Sequence, residues 1–240
     1  MFRVLLSMVV VLGFAATGGR AAAATADATM AAGEFLFDPR SLDLKTILPP
    51  PPAPESLAGQ AELETVLQVQ AARTPEQVAW ARFIEEDDVF KNARVLGAWF
   101  TMENLPVTAA FFARLEANLG AVRAKEIYPR LRPPYVDRRV QPCVQVPDSG
   151  SYPSGHALRG WLWAKLLAEI YPEQRAALAE RARAVCWGRV IGGAHFPSDT
   201  AGGRLLADAV AAALLKNPAV QAELARCRAE AAPFLLKKAA

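Results

Sequence analysis

An all-α bundle is the fold this chain predicts, and three observations predict it. Apolar residues recur at helical spacing through most of the sequence, Pro repeatedly stands at the start of those stripes, and no run alternates with the two-residue period of a strand. Ala and Leu are abundant while β-branched runs are sparse, which favours the same state.

Taken in order, residues 1–26 read as a secretory signal peptide. Arg3 gives a basic start, Val4 to Ala16 is apolar, and Ala22-Ala23-Ala24 offers small residues for cleavage near 24–26. That apolar stretch is shorter than the roughly 20 residues a membrane span needs, and no later run reaches that length. The mature chain is therefore expected to be exported and to lack a membrane span. Formal net charge is +3; without Arg3 and Arg20 the basic residues number 25 against 24 acidic ones. A balance that close to neutral excludes nucleic acid as an expected partner.

Residues 27–56 form a Pro-rich arm, extended from Glu34 to Ser56, because Pro49 to Pro52 and Pro54 remove backbone donors. Residues 57–240 form the helical domain, a size that one core accommodates. Its first helix spans Ala61 to Arg73 with Leu63, Val66, Leu67 and Val69 as the stripe. The next starts at Pro75 after Thr74 as cap and continues through Val78, Trp80, Ala81 and Ile84. Leu105 to Leu119 and Ala121 to Tyr128 follow, the latter holding Lys125. Pro129 and Pro133 then open a loop to about Gly150. Ser154 caps a helix from Gly155 to Ile170, with Leu158, Leu162, Leu166 and Ile170 as one face. Pro172 opens a helix reaching Arg189, and Pro197 opens another facing the core with Leu205, Ala209, Ala212 and Leu215. Cys143, Cys186 and Cys227 are too few for a zinc site. Export permits one disulfide, for which we expect Cys143 with Cys186, since both flank the motifs described next.

The chain has only two histidines, and each lies in a motif. His156 closes Tyr152-Pro153-Ser154-Gly155-His156, where Ser154 leaves the free N–H groups and positive end of a helix for an anion, and Gly155 lets a ligand approach the backbone. His195 stands six residues after Arg189 and four before Asp199. Asp199 falls in a helix first turn and is placed to accept a hydrogen bond from one ring nitrogen of His195. The other nitrogen is then free to act as a nucleophile. Lys125 and Arg132 add a compact charge and a fork that matches phosphate oxygens.

Lys125-x6-Arg132-Pro133, Pro153-Ser154-Gly155-His156 and Arg189-x5-His195-x3-Asp199, in that order, resemble the three-part signature of the type-2 phosphatidic acid phosphatase superfamily. The leader, the Leu48-Pro49-Pro50-Pro51-Pro52 arm and Gly150-Ser151-Tyr152 make the chain similar to bacterial class A non-specific acid phosphatases. The resemblance covers about Leu48 to Asn217. It implies a single-domain helical bundle of the type-2 phosphatidic acid phosphatase and vanadium haloperoxidase type. It further implies a periplasmic or secreted homo-oligomer that needs no metal or cofactor. Such an enzyme hydrolyses nucleotides, sugar phosphates and aryl phosphates through a phosphohistidine, with a phosphotransferase side activity and an acid optimum. The implied roles are His195 as nucleophile, Asp199 orienting it, and His156 as general acid and then base. Lys125, Arg132, Ser154, Gly155 and Arg189 hold the phosphate. The family usually has Ser before the arginine of the third motif, where this chain has Gly188, so a hydroxyl near the phosphate is expected to be missing. Three alternatives stay open on sequence: a vanadium-dependent haloperoxidase, a soluble lipid-phosphate phosphatase, and a phosphate-binding helical protein without activity.

Overall fold

The structure, a computed structural model, describes residues 36–120 and 122–239. The signal peptide expected at 1–26 lies outside the described residues. These form ten α-helices and no strand, so the all-α expectation holds. They are α1 (Leu44–Ile47), α2 (Leu57–Ala72), α3 (Pro75–Phe83), α4 (Ala93–Leu96), α5 (Pro106–Leu119), α6 (Pro133–Val136), α7 (Gly155–Ile170), α8 (Arg175–Ile191), α9 (Pro197–Leu215) and α10 (Pro218–Ala239). None is long and apolar enough to cross a membrane.

Helix starts follow the sequence signals closely. Thr74 and Gln77 make a reciprocal capping box at α3, with Pro75 in its first turn. Ser154 caps α7 through its hydroxyl, which accepts the Ala157 N–H. The expected helix around Lys125 is a single 3-10 turn, Ala124–Glu126. Nor is the arm wholly extended: Asp38 and Asp43 cap a 3-10 turn at Pro39–Ser41 and the short α1. The arm packs on the body, burying Leu36, Phe37 and Leu48 in the main core, and Tyr152 Oη donates to Pro49 O at 2.7 Å.

The core is built around α7, which packs chiefly against α8 and α9. Its expected single apolar face is only part of the picture. Ala157, Trp161, Leu162, Trp163, Leu166, Leu167 and Ile170 are all buried, which makes it a central helix surrounded by others. An unexpected tenth helix buries Val220, Leu224, Cys227 and Ala231, and its Glu230 carboxylate accepts the Val107 and Thr108 N–H groups at 2.7 and 3.0 Å. That side chain caps α5, which has no cap of its own. The three cysteines are all free. The expected pair does not form because Cys143 Sγ lies against Ile191 O at 3.9 Å, while Cys186 packs toward Trp161.

Two contacts fix the crossing of α7 and α9, and with it the site. Ser154 N donates to Asp199 O at 2.9 Å. At Gly203 a Cβ would stand 2.5 Å from Ser154 O and 2.7 Å from the Ala157 Cβ, so the helices can approach this closely only because the side chain is absent. Gly203→Ala is expected to cost about 1–3 kcal/mol by overpacking, read as a lowered urea midpoint. An unchanged midpoint would show that the crossing is looser than this.

Candidate active site

The loop before α7 is held by cations. Lys125 Nζ donates to Gly150 O at 2.6 Å and to Pro153 O at 2.9 Å. Arg132 Nε donates to Ser149 O at 2.8 Å, and one terminal nitrogen donates to Ala194 O at 3.0 Å. Burial, then repulsion from Arg132, brings Lys125 down to about 8; it remains a cation throughout the acid range. Arg130, Leu131 and Arg132 show a reversed period-two pattern: both guanidinium side chains are inside, while Leu131 is 62% exposed. Polar groups rather than apolar ones decide the direction of this strand-like segment.

His195 lies in the loop between α8 and α9, where Gly193 turns with φ +71°. Its Nδ1 is 3.3 Å from Asp199 Oδ2 and its Nε2 is 3.0 Å from Arg132 Nη1. A carboxylate only accepts and a guanidinium only donates, so Nδ1 carries the hydrogen and Nε2 carries the lone pair. Burial, outweighing the hydrogen bond and charge of Asp199, brings His195 down to about 4. Asp199 is itself fully buried. Burial pushes its carboxyl up, but His195, Arg130 and the Ser151 hydroxyl together hold it below the usual carboxylate range.

Arg189, in the last turn of α8, is 1% exposed, and its Nε and Nη1 have no hydrogen-bond partner among the described residues. Burial first, and then Arg132 and Arg159, bring it down to about 10. His156, in the first turn of α7, donates from Nε2 to Glu85 O at 2.9 Å, which leaves Nδ1 with its lone pair. Burial and the Arg189 charge bring His156 to about 3. The cationic His156 implied by the resemblance is therefore not the state that this buried, Arg189-facing environment favours. Ser154 is buried, and with Gly155 and Lys125 it lines a cavity of about 470 Å³. All eight residues marked by the motifs thus belong to one connected cluster.

Three further residues complete it: Arg130 and Glu62, which the sequence does not mark, and Ser151, which the sequence marks only as part of the resemblance and with no role. Arg130 Nη1 donates to Asp199 Oδ1 at 2.7 Å, its Nη2 donates to Glu62 Oε2 at 2.8 Å, and its guanidinium stacks 4.2 Å from the Phe196 ring. Glu62 also accepts the Ser198 N–H and hydroxyl at 2.6 and 2.9 Å. Ser151 Oγ donates to Asp199 Oδ2 at 2.5 Å. A chain of alternating charge, Glu62–Arg130–Asp199, thus ends on the His195 imidazole. Gly188 turns out to lie elsewhere. A Cβ there would meet Ile84 Cδ1 at 2.5 Å and Trp80 Nε1 at 3.0 Å, so the missing side chain serves the packing of α3 on α8, not the cluster around His195.

A model of the PAP2 superfamily matches residues 106–221. The chain is 30% identical over 208 residues to a non-specific acid phosphatase of Providencia stuartii, covering 82% of this chain and 84% of that one. It is 31% identical over 204 residues to a non-specific acid phosphatase of Salmonella typhimurium, covering 79% and 80%. A third relative, an acid phosphatase of Zymomonas mobilis, is 37% identical over 97 residues, 38% of this chain and 36% of its own.

With two histidines in the chain, each imidazole is readable by proton NMR. Neither should titrate between roughly pH 5 and 8 in the phosphate-free protein, because both sit far below 6.5. Inorganic phosphate should raise the His156 titration by more than about one unit by offsetting Arg189. A His156 signal that ignores phosphate would remove it from the anion site. Arg130→Met should lower kcat by about 10- to 100-fold, as loss of a supporting partner does, with KM changing far less because Arg130 touches Asp199 rather than the anion. A matched rise in KM would instead make Arg130 a ligand of the substrate.

Proposed function

The chain belongs to the PAP2 superfamily, and from that premise we propose that it is an acid phosphatase hydrolysing a broad range of phosphate monoesters through a phosphohistidine on His195. One observation carries the reading. Arg189 is a fully buried guanidinium with two nitrogens unpartnered, beside Lys125 and Arg132, whose hydrogen bonds go to uncharged acceptors. Burying cations that no carboxylate reaches by a hydrogen bond is costly, and an anion with several oxygens is the ligand that relieves it.

In this reading the phosphate takes the Nη1–H that Arg132 gives to His195 Nε2 in the empty site. Its non-bridging oxygens are shared among Lys125, Arg132, Arg189, the Ser154 hydroxyl and the Gly155 N–H. His195 Nε2 attacks phosphorus, an N–P bond forms and the P–O bond to the leaving group breaks. The imidazole gains positive charge, which Asp199 offsets through Nδ1–H. His156 Nδ1 passes its proton to the departing oxygen. Once neutral, it takes a proton from the water that displaces His195, and inorganic phosphate leaves.

The depressed His156 gives a physical cause for an acid optimum. Since that imidazole is neutral above about 3, the proton it donates has to arrive with the ester. A phosphate monoester has its second pKa near about 6, so the proton-bearing monoanion prevails on the acid side. His195 remains neutral down to about 4 and keeps its lone pair there. The fixed cations do the charge work that metal ions do elsewhere, which supports metal-independent turnover. Among the described residues no three His, Cys, Asp or Glu are grouped to hold a metal ion. The leader at residues 1–26 supports export, which would place the enzyme in the periplasm or outside the cell.

Release of p-nitrophenol from its phosphate ester in excess EDTA tests the reading. Turnover is expected for the native chain and a loss of at least about a thousandfold for His195→Ala, the scale seen when a nucleophile is removed. Near-normal turnover in that variant, with its fold intact, would sink the phosphohistidine mechanism.

A further inference from the structure

The mechanism leaves one half-buried, unpaired cation beside the cluster unused. Arg159 is in the first turns of α7, three residues after His156, and a Cβ on Gly155 would lie 3.8 Å from its Nη1. Its guanidinium therefore hangs over the same helix start that faces the phosphate. Its positive charge depresses Lys125, His156 and Arg189, so it stands within reach of the whole cluster. Arg130 and Arg181 are each paired with carboxylates. Arg159 forms no ion pair or hydrogen bond with any described residue.

Its surroundings are those of a binding cleft. Arg159 and Glu116 are the two residues shared by a pair of adjoining cavities. The smaller, about 470 Å³, holds Lys125, Ser154 and Gly155, with Arg123 and Glu126 at its mouth already paired at 3.0 Å. The larger, about 930 Å³, is walled by Phe90, Phe100, Phe112 and Trp163. Glu116 accepts the Trp163 indole N–H at 3.1 Å and does not reach Arg159 as an ion pair. A free guanidinium between a phosphate cluster and an aromatic cleft matches a leaving group that is anionic near the reacting phosphorus and flat further out.

We propose that Arg159 binds a second anionic group on the leaving side of the scissile phosphate, so that nucleoside diphosphates are preferred to the corresponding monophosphates. The inference rests on the phosphatase reading above. With ADP the β-phosphoryl group sits at His195 and the α-phosphate on Arg159, while the adenosine occupies the aromatic cleft. The N–P bond to His195 forms as the bond from the β-phosphorus to the bridging oxygen breaks. The His156 proton goes to that oxygen, AMP departs, and water then releases phosphate.

The test is the ratio of kcat/KM for ADP to that for AMP, which shares the nucleoside and lacks the second group. Arg159→Gln should lower the ratio about tenfold or more, as loss of a charge-assisted hydrogen bond does, chiefly through the KM for ADP. Arg159→Lys should restore part of it. An unchanged ratio, or an equal fall for both nucleotides, would overturn the proposal. Calorimetric binding of α,β-methylene-ADP to the native chain and Arg159→Gln separates the two readings. If neither nucleotide is hydrolysed, the phosphatase reading fails, while weaker binding in the variant still supports the subsite. Equal binding in both proteins would defeat the subsite whatever the activity.

Discussion

Asp199 is the carboxylate against which the cations of the site are set, and it is already fully engaged. Arg130, the Ser151 hydroxyl, the Phe196 N–H and His195 Nδ1 all converge on its two oxygens. It therefore has little left to offer Lys125, Arg132 or Arg189. The first two turn to carbonyl oxygens, and the third leaves two nitrogens without an acceptor. Dipoles compensate a buried ion only partly, at an effective cost of several kcal/mol per ion. The cluster can hold that imbalance because it is anchored outside itself, through Glu62 on α2 and through the backbone ends of α7 and α9.

The same constraint explains how the helices are arranged. A pocket short of hydrogen-bonded carboxylates benefits when the positive ends of helices face its acidic or anionic groups. α7 and α9 both present their N-terminal ends there, joined by Ser154 N to Asp199 O. At α9 the positive end favours ionised Asp199, and at α7 it favours an anionic ligand. Bringing two helix starts this close needs small side chains at the crossing, which Gly203 provides against Ala157. A close helix crossing thus lies directly beneath the site.

Much of this was legible in the sequence wherever local rules decide. α7 runs from Gly155 to Ile170 as its cap and stripe predict, and α3 starts at Pro75 after Thr74. The eight motif residues come together because Pro and Gly fix the turns between them. What was not legible acts at a distance. Glu62 and Arg130 are ordinary surface-type residues until the fold buries them; only the inverted order of Arg130-Leu131-Arg132, apolar out and charged in, marks the segment as unusual. Residues 122–128 hold one 3-10 turn, Ala124–Glu126, in place of the expected helix, and Lys125 within it is tied to carbonyls of the loop before α7. The stripe Val220, Leu224, Cys227 and Ala231 was present at helical spacing, but mixed Ala, Arg and Glu around it blur the apolar face. Gly188 shows the limit of reading a departure from a motif by position alone. Its neighbour Arg189 faces the cluster, whereas Gly188 faces Trp80 and Ile84 on the other side of α8.

In the proposed reaction the two histidines need opposite protonation states, yet the protein depresses both for the same leading reason, burial. What separates them is the second influence. His195 has Asp199 beside it, so charge developing on that ring is offset by a fixed anion when the N–P bond forms. His156 has a backbone carbonyl on one nitrogen and, after burial, the field of Arg189 on the ring, so in the proposed complex its hold on a proton strengthens when an anion offsets Arg189. A bound phosphate does that, and inorganic phosphate leaving at the end undoes it. The protonation of His156 is thus a property of the complex rather than of the enzyme alone. In that proposal the cations that would hold the substrate would also favour the acid form of His156 while it is bound, which would tie catalysis to occupancy without any moving part.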